Sequence, residues 1–121
     1  MKFSGIFLLT CILLAGCGTG DKVPEAILGQ WRGVTWTVEN QPSGRDAGSV
    51  RFTFDPAQRY EAVFGDQQEK GTFKVDGNKL YTTAEGQMQK MVKIIRLSAD
   101  TLEMEMNRAG TKENLILAKE H

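Results

Sequence analysis

The sequence predicts an all-β fold: one small up-and-down antiparallel barrel of about eight strands, set behind a leader that is cut away. Three observations carry this expectation. From Gly29 onward, short stretches of alternating apolar and polar residues are broken by turn residues at intervals of about ten. Most of those breaks are of hairpin length, so successive strands pair with their neighbours, and a meander of this kind removes its exposed edges by closing on itself. The first sixteen residues follow a different pattern, with one positive charge, an apolar run and a pair of small residues.

In the leader, Lys2 precedes Ile6-Phe7-Leu8-Leu9-Thr10-Cys11-Ile12-Leu13-Leu14, then Ala15 and Gly16. As a helix, 6–16 would rise only about 16 Å against a hydrocarbon core of about 30 Å, too short to stay as a spanning anchor. Removal is the expectation. The four residues Leu14-Ala15-Gly16-Cys17 resemble the lipobox of bacterial lipoproteins. That resemblance implies cleavage after Gly16 and a diacylglyceryl group on the Cys17 sulfur, with acylation of the new amino group as a further possibility of the class. A single acyl chain holds marginally and two or three hold firmly, at about 0.8 kcal/mol per buried methylene. The expected division is therefore signal peptide 1–16, lipidated cysteine and flexible tether 17–26, and barrel domain 27–121.

Without the leader, a formally neutral chain loses Lys2 and shifts to about minus one. Such a balance gives no footing for nucleic acid. With Cys17 acylated and Cys11 discarded, no disulfide and no cysteine metal site can form. About 105 residues then fold on their apolar core alone, which chains of that size do. The run Gly18-Thr19-Gly20-Asp21-Lys22-Val23-Pro24 is glycine-rich, polar and aperiodic. As a coil of about ten residues it would hold the domain roughly 15–20 Å above a lipid surface. Gly18, where enterobacterial lipoproteins retained at the inner membrane carry aspartate, points to the outer membrane, facing the periplasm.

Strands are expected over 30–38, 49–54, 59–64, 70–75, 79–83, 88–97, 101–107 and 112–118. The turns between them fall at Pro42-Ser43-Gly44, Asp55-Pro56, Gly65-Asp66, Asp76-Gly77-Asn78, Glu85-Gly86, Ala99-Asp100 and Ala109-Gly110. Only the stretch 24–28 hints at a helical turn. Two hairpins have a readable register. Val75 opposite Leu80 brings Asp76 to Lys79. Leu97 opposite Leu102 sets Arg96 against Glu103 and Ile95 against Met104. Met91-Val92-Lys93-Ile94-Ile95 puts apolar side chains on both faces, which calls for a bulge or a covered outer surface. Trp36, five residues after Trp31, faces the opposite side of a regular strand; a bulge at Gly33 would instead turn Val34, Trp36 and Val38 inward.

Gly29-Gln30-Trp31 resembles the Gly-x-Trp signature of lipocalins. Phe54-Asp55, Tyr60, Gly71-Thr72-Phe73, Gly77-Asn78-Lys79-Leu80, Lys93-Ile94, Leu97 and Asp100-Thr101-Leu102 continue the pattern of small bacterial lipocalin-like lipoproteins, from Ile27 to Lys119. Lipocalins proper are longer, and no position here matches their arginine that packs across the first tryptophan. The resemblance implies an inward set of Trp31, Val50, Phe52, Phe54, Tyr60, Ala62, Phe64, Phe73, Val75, Leu80, Ile95, Leu97, Leu102, Met104, Met106, Leu115 and Leu117. It also implies a small apolar ligand, contacted by Trp31, Trp36, Phe52, Phe54, Tyr60, Phe64, Phe73, Met104 and Met106. An eight-stranded interior is just wide enough to be filled by its own side chains, and so many large aromatics favour filling.

Catalytic chemistry has little to work with. His121 is the only histidine and the last residue, so neither a histidine triad nor a histidine metal site can be built. Ser43, Ser49 and Ser98 lack a base, and Glu103 and Glu105 alternate with Leu102, Met104 and Met106 as an outer face. No phosphate loop or nucleotide fingerprint is present. The expectation is a non-enzymatic protein without cofactor or metal. It is either an anchored barrel carrying a small apolar ligand or a protein-binding module of the cell envelope with a filled barrel and function on loops such as 39–48. The anchor is directly testable: Cys17→Ala should lose the acyl mass in intact-protein mass spectrometry and leave the membrane fraction, and unchanged membrane association would remove the anchor.

Overall fold

The computed structural model describes residues 23–121; the expected leader, its expected cleavage site and Cys17 lie outside the described residues. A short 3-10 turn, Glu25–Ile27, leads into nine strands: β1 Gly29–Val38, β2 Gln41–Pro42, β3 Val50–Phe54, β4 Arg59–Phe64, β5 Gln67–Asp76, β6 Lys79–Ala84, β7 Lys90–Leu97, β8 Thr101–Arg108 and β9 Thr111–Glu120. The strand order is β2-β1-β3-β4-β5-β6-β7-β8-β9, and β1 also pairs with β9, so the sheet closes. Eight strands, β1 and β3 to β9, make the wall of an antiparallel barrel. Among the described residues no helix is long and apolar enough to cross a membrane. Ahead of β1, Val23 packs on the core and the 3-10 turn leads to the fully buried Ile27.

The alternation read from the sequence is the alternation of the wall. Val50, Phe52 and Phe54, then Tyr60 and Ala62, Gly71 and Phe73, and Glu113, Leu115 and Leu117 point inward at every second position. The hairpin at Gly77-Asn78 has the expected register, Val75 against Leu80 and Asp76 against Lys79. At the next one, Leu97 faces Leu102 and Arg96 faces Glu103. Ile95 does not face Met104, however. The ladder slips between Ile94 and Arg96, Ile94 takes the place opposite Met104, and Ile95 is pushed to the outer face, 46% exposed. The apolar run 91–95 thus resolves through a bulge, which places one extra residue without breaking the inward phase on either side.

The first strand bends in the same way. Its pairing to β9 slips between Gly33 and Thr35, and Trp36 turns into the core. Val34, expected inward, is the extra residue and stands 59% exposed. Gly33 is required there by contact, because a Cβ built on it would overlap the Ala47 carbonyl. At this point β3 also leaves β1, whose last partner pair with it is Arg32 and Arg51, and β2 takes over the vacated edge at Thr37 and Val38. The turn expected at Pro42-Ser43-Gly44 lies earlier, at Glu39-Asn40, both with positive φ as a two-residue hairpin turn demands. Glu39 is held in that conformation from outside. Its N–H donates to the Lys112 carbonyl at 2.8 Å and its Oε2 accepts from the Lys112 N–H at 2.9 Å.

Gly33→Ala should lower stability by about 1–3 kcal/mol, since the new methyl must displace the backbone of the 47–49 turn. The midpoint of urea unfolding checks this, and an unchanged midpoint would mean that the bulge does not depend on the close approach.

Candidate functional site

The barrel has two unlike ends. At the first, Gly29 adopts φ +117 and lies against the Lys119 side chain, so a Cβ would meet Lys119 Cε at 2.8 Å. Trp31 is fully buried, its indole N–H donates to the Ile27 carbonyl at 2.8 Å, and the Lys119 ammonium lies 4.6 Å from its ring centroid. The same ammonium donates to the Ala26 carbonyl at 3.2 Å. Where the lipocalin resemblance led to an arginine over the tryptophan, this chain supplies a lysine from its last strand. It was hidden in the sequence because nothing local ties position 119 to position 31. This end is a stopper.

Between the ends runs a continuous column of rings. Trp36 meets Phe64 edge-on at 6.3 Å, Phe64 meets Phe52 at 5.7 Å, and Phe52 stacks on Phe54 at 5.7 Å. Phe54 in turn contacts Phe73 at 4.9 Å and Tyr60 at 6.5 Å. Met104 is buried and Met106 packs against the cluster from the facing wall. Eight of the nine residues read as ligand contacts are thus joined in one packed interior, with Trp31 at the stopper. The described clefts lie elsewhere. Two of about 360 and 370 Å³ and smaller ones of about 210 and 150 Å³ are lined largely by polar and charged side chains such as Glu61, Gln68, Lys70, Thr72 and Lys74. Trp31, Trp36, Phe52, Phe54, Phe64, Met104 and Met106 line none of these four.

The second end, at Trp36, is charged. Glu113 follows the inward phase of Leu115 and Leu117 and is buried, with its Oε1 accepting from the Trp36 indole N–H at 2.9 Å. Arg45 and Arg108 lie 3.9 and 3.7 Å from its oxygens, both about half exposed. On the adjoining wall the Tyr60 hydroxyl donates to Glu69 Oε2 at 2.6 Å, and Lys90 approaches the other Glu69 oxygen at 4.0 Å. Burial raises the Tyr60 phenol well above its usual range, reinforced by the hydrogen bond to Glu69 and by its negative charge, with a hydrogen bond to Thr82 opposing. Neither Glu69 nor Glu113 was singled out in the sequence. Period-two counting from Phe73 and from Leu115 would have found both, because each is an acid on an otherwise apolar face. Among the described residues no group of three or more histidine, cysteine or acidic side chains is placed to hold a metal.

A closed eight-stranded meander, stoppered at one end by a Gly-x-Trp strand, agrees with a match to the lipocalin-like domain over residues 27–104. The chain belongs to the lipocalin-like family. It is similar in structure to a lipocalin-like protein from Bacteroides uniformis, with 17% identity, a TM-score of 0.60 and coverage of 78% of this chain and 99% of that one. It is also similar to an uncharacterized protein from Bacteroides eggerthii, with 12% identity, a TM-score of 0.57 and coverage of 77% and 98% respectively. At these identities the likeness is one of fold. No curated protein matches the chain. A lipocalin-like barrel supports a role of the binding type.

The Tyr60 pair gives a signed pH dependence. The unfolded phenol ionises near pH 10, whereas the folded one keeps its proton to higher pH, so the unfolded state binds fewer protons and stability falls as pH rises above about 10. Chemical unfolding between pH 8 and 12 should show a steeper decline for the wild type than for Tyr60→Phe, and parallel curves would detach Tyr60 from the effect.

Proposed function

We propose that this lipocalin-like chain is a non-enzymatic binding module of the bacterial cell envelope, lipid-anchored through Cys17 in the outer membrane and facing the periplasm, which engages a partner at its Trp36 end and outer wall. The column of rings from Trp36 to Phe73 carries the reading. Side chains that would form the wall of an apolar ligand cavity are already spent on one another. An incoming apolar molecule would have to separate ring pairs that contribute about 0.5–1.5 kcal/mol each beyond their buried area. What the molecule offers freely is polar: half-exposed guanidinium groups, acid-lined clefts and the 43–49 segment. The lipobox residues Leu14-Ala15-Gly16-Cys17 support the anchor, and Gly18 supports the choice of membrane.

Native mass spectrometry of the domain from Asp21 onward, gently purified from its bacterial host, tests this. The expected result is a single mass without adduct. A reproducible apolar adduct that is lost on Phe52→Ala would overturn the reading and restore a ligand-carrying interior.

A further inference from the structure

Among the described residues Glu113 is the one charged side chain that is buried, its side chain 5% exposed. A carboxylate so placed ordinarily collects charge-assisted donors on both oxygens, because an unpaired buried charge is costly. Here Oε1 takes the Trp36 N–H, while Oε2 is ion-paired to Arg108 Nε at 3.7 Å, beyond hydrogen-bond reach. Oε2 therefore has no hydrogen-bond donor among the described residues. Beside it Trp36 is buried in the ring column except for an 8% exposed remainder, and Arg45 lies over its ring, with the guanidinium carbon 5.0 Å from the centroid and Nη1 3.9 Å from Glu113 Oε1.

Arg45 belongs to a short segment that is seated on the barrel through Ala47, with the Ser49 carbonyl accepting from the Gly65 N–H at 3.2 Å, and that is otherwise bonded mainly within itself. Its N–H donates to Ser43 Oγ, Gly48 N–H to Asp46 Oδ1, and the Ser49 hydroxyl to the Asp46 carbonyl, while Ser43 N–H reaches back to the Trp36 carbonyl. The arginine side chain is half exposed and sits at ion-pair distance without a hydrogen bond to the acid. An aromatic ring beside a carboxylate suits a planar guanidinium group, which can stack on the ring and fork to the oxygens, whereas an ammonium satisfies only the charge.

We propose that Trp36 and Glu113 form a receptor for a guanidinium group, and that Arg45 is its resident occupant, displaced when a partner presents a guanidinium of its own. Glu113 Oε2, which has Arg108 at 3.7 Å but no hydrogen-bond donor among the described residues, is the acceptor that Arg45, anchored on its short segment, does not reach. This deepens the binding function proposed above, on which it rests, by naming the chemistry taken at the Trp36 end. The guanidinium can belong to a small molecule or to an arginine of a protein, and the two sources are separable by probe.

The test uses the full-length protein in detergent micelles, titrated with agmatine and with the blocked peptide acetyl-Gly-Arg-Gly-amide, with the lysine peptide as control. The readouts are calorimetry and the Trp36 indole N–H resonance. Removing a competing resident restores the competent state, so Arg45→Ala should bind guanidinium at least about tenfold more tightly than the wild type. The Trp36 resonance should shift, the Trp31 resonance should stay in place as a sign of an intact barrel, and the lysine peptide should bind far more weakly. Tighter binding of the peptide than of agmatine assigns the site to a protein arginine, and the reverse to a free small molecule. Equal affinities of Arg45→Ala and wild type, or equal affinities for arginine and lysine peptides, overturn the proposal. A clean native mass together with such a failure removes only the guanidinium receptor, whereas an apolar adduct removes the underlying binding function.

Discussion

Closure of the sheet between β1 and β9 is the constraint on which the rest of the structure depends. An eight-stranded meander left open would present two edges of unpaired N–H and carbonyl groups. Closing it requires the first strand to serve β9 along nearly its whole length while sharing its other edge between β3 and β2. One straight strand does not do this. The bulge at Gly33-Val34 sits where the second edge changes partner, and it lets one strand turn a corner and still keep both Trp31 and Trp36 inside. Glu120 reinforces the seam from outside, taking Arg32 at 3.3 Å and Arg51 at 3.0 Å across three strands. Exposed pairs of this kind contribute little singly, so packing and the ladder itself carry the closure.

From closure follows the division of the interior. A barrel of this strand number leaves room for one layer of large side chains from each wall. One wall, β1, β3, β4 and β5, contributes the rings, and the facing wall contributes Leu80, Leu102, Met104, Leu115 and Leu117. The two poles differ because the inward phase runs out of apolar residues at different points. At one pole it ends on Lys119, whose ammonium is absorbed by the Trp31 ring and a carbonyl. At the other it ends on Glu113, whose charge is only partly met.

Much of the fold was legible in the chain because period-two alternation and hairpin turns are local. Val75, Asp76, Lys79 and Leu80 settle their own register, and so do Leu97 and Leu102. What stayed hidden depends on distant residues. Ile94 and Ile95 are equally apolar, and which one faces inward is decided by β8 and by the twist of the closing sheet. The Glu39-Asn40 turn carries no local signature because glutamate disfavours a positive φ; the backbone of Lys112, remote in sequence, overrides that preference. The aromatic set was readable as an interior, but its ring-to-ring packing was not, since alternation gives direction and not distance. Arg45, Arg108 and Lys119 carried no local signal at all. Each acquires a role only through the strand or segment that closure brings alongside.

The stopper has one more consequence. Gln30 pairs with Glu120, and Lys119 holds the carbonyl of Ala26, so the chain enters and leaves the barrel at the same pole. The opposite pole, with Trp36, Arg45 and Arg108, is built wholly from strand ends and turns. A passenger domain fused at either extremity would therefore sit behind the barrel and leave the Trp36 pole facing away from it.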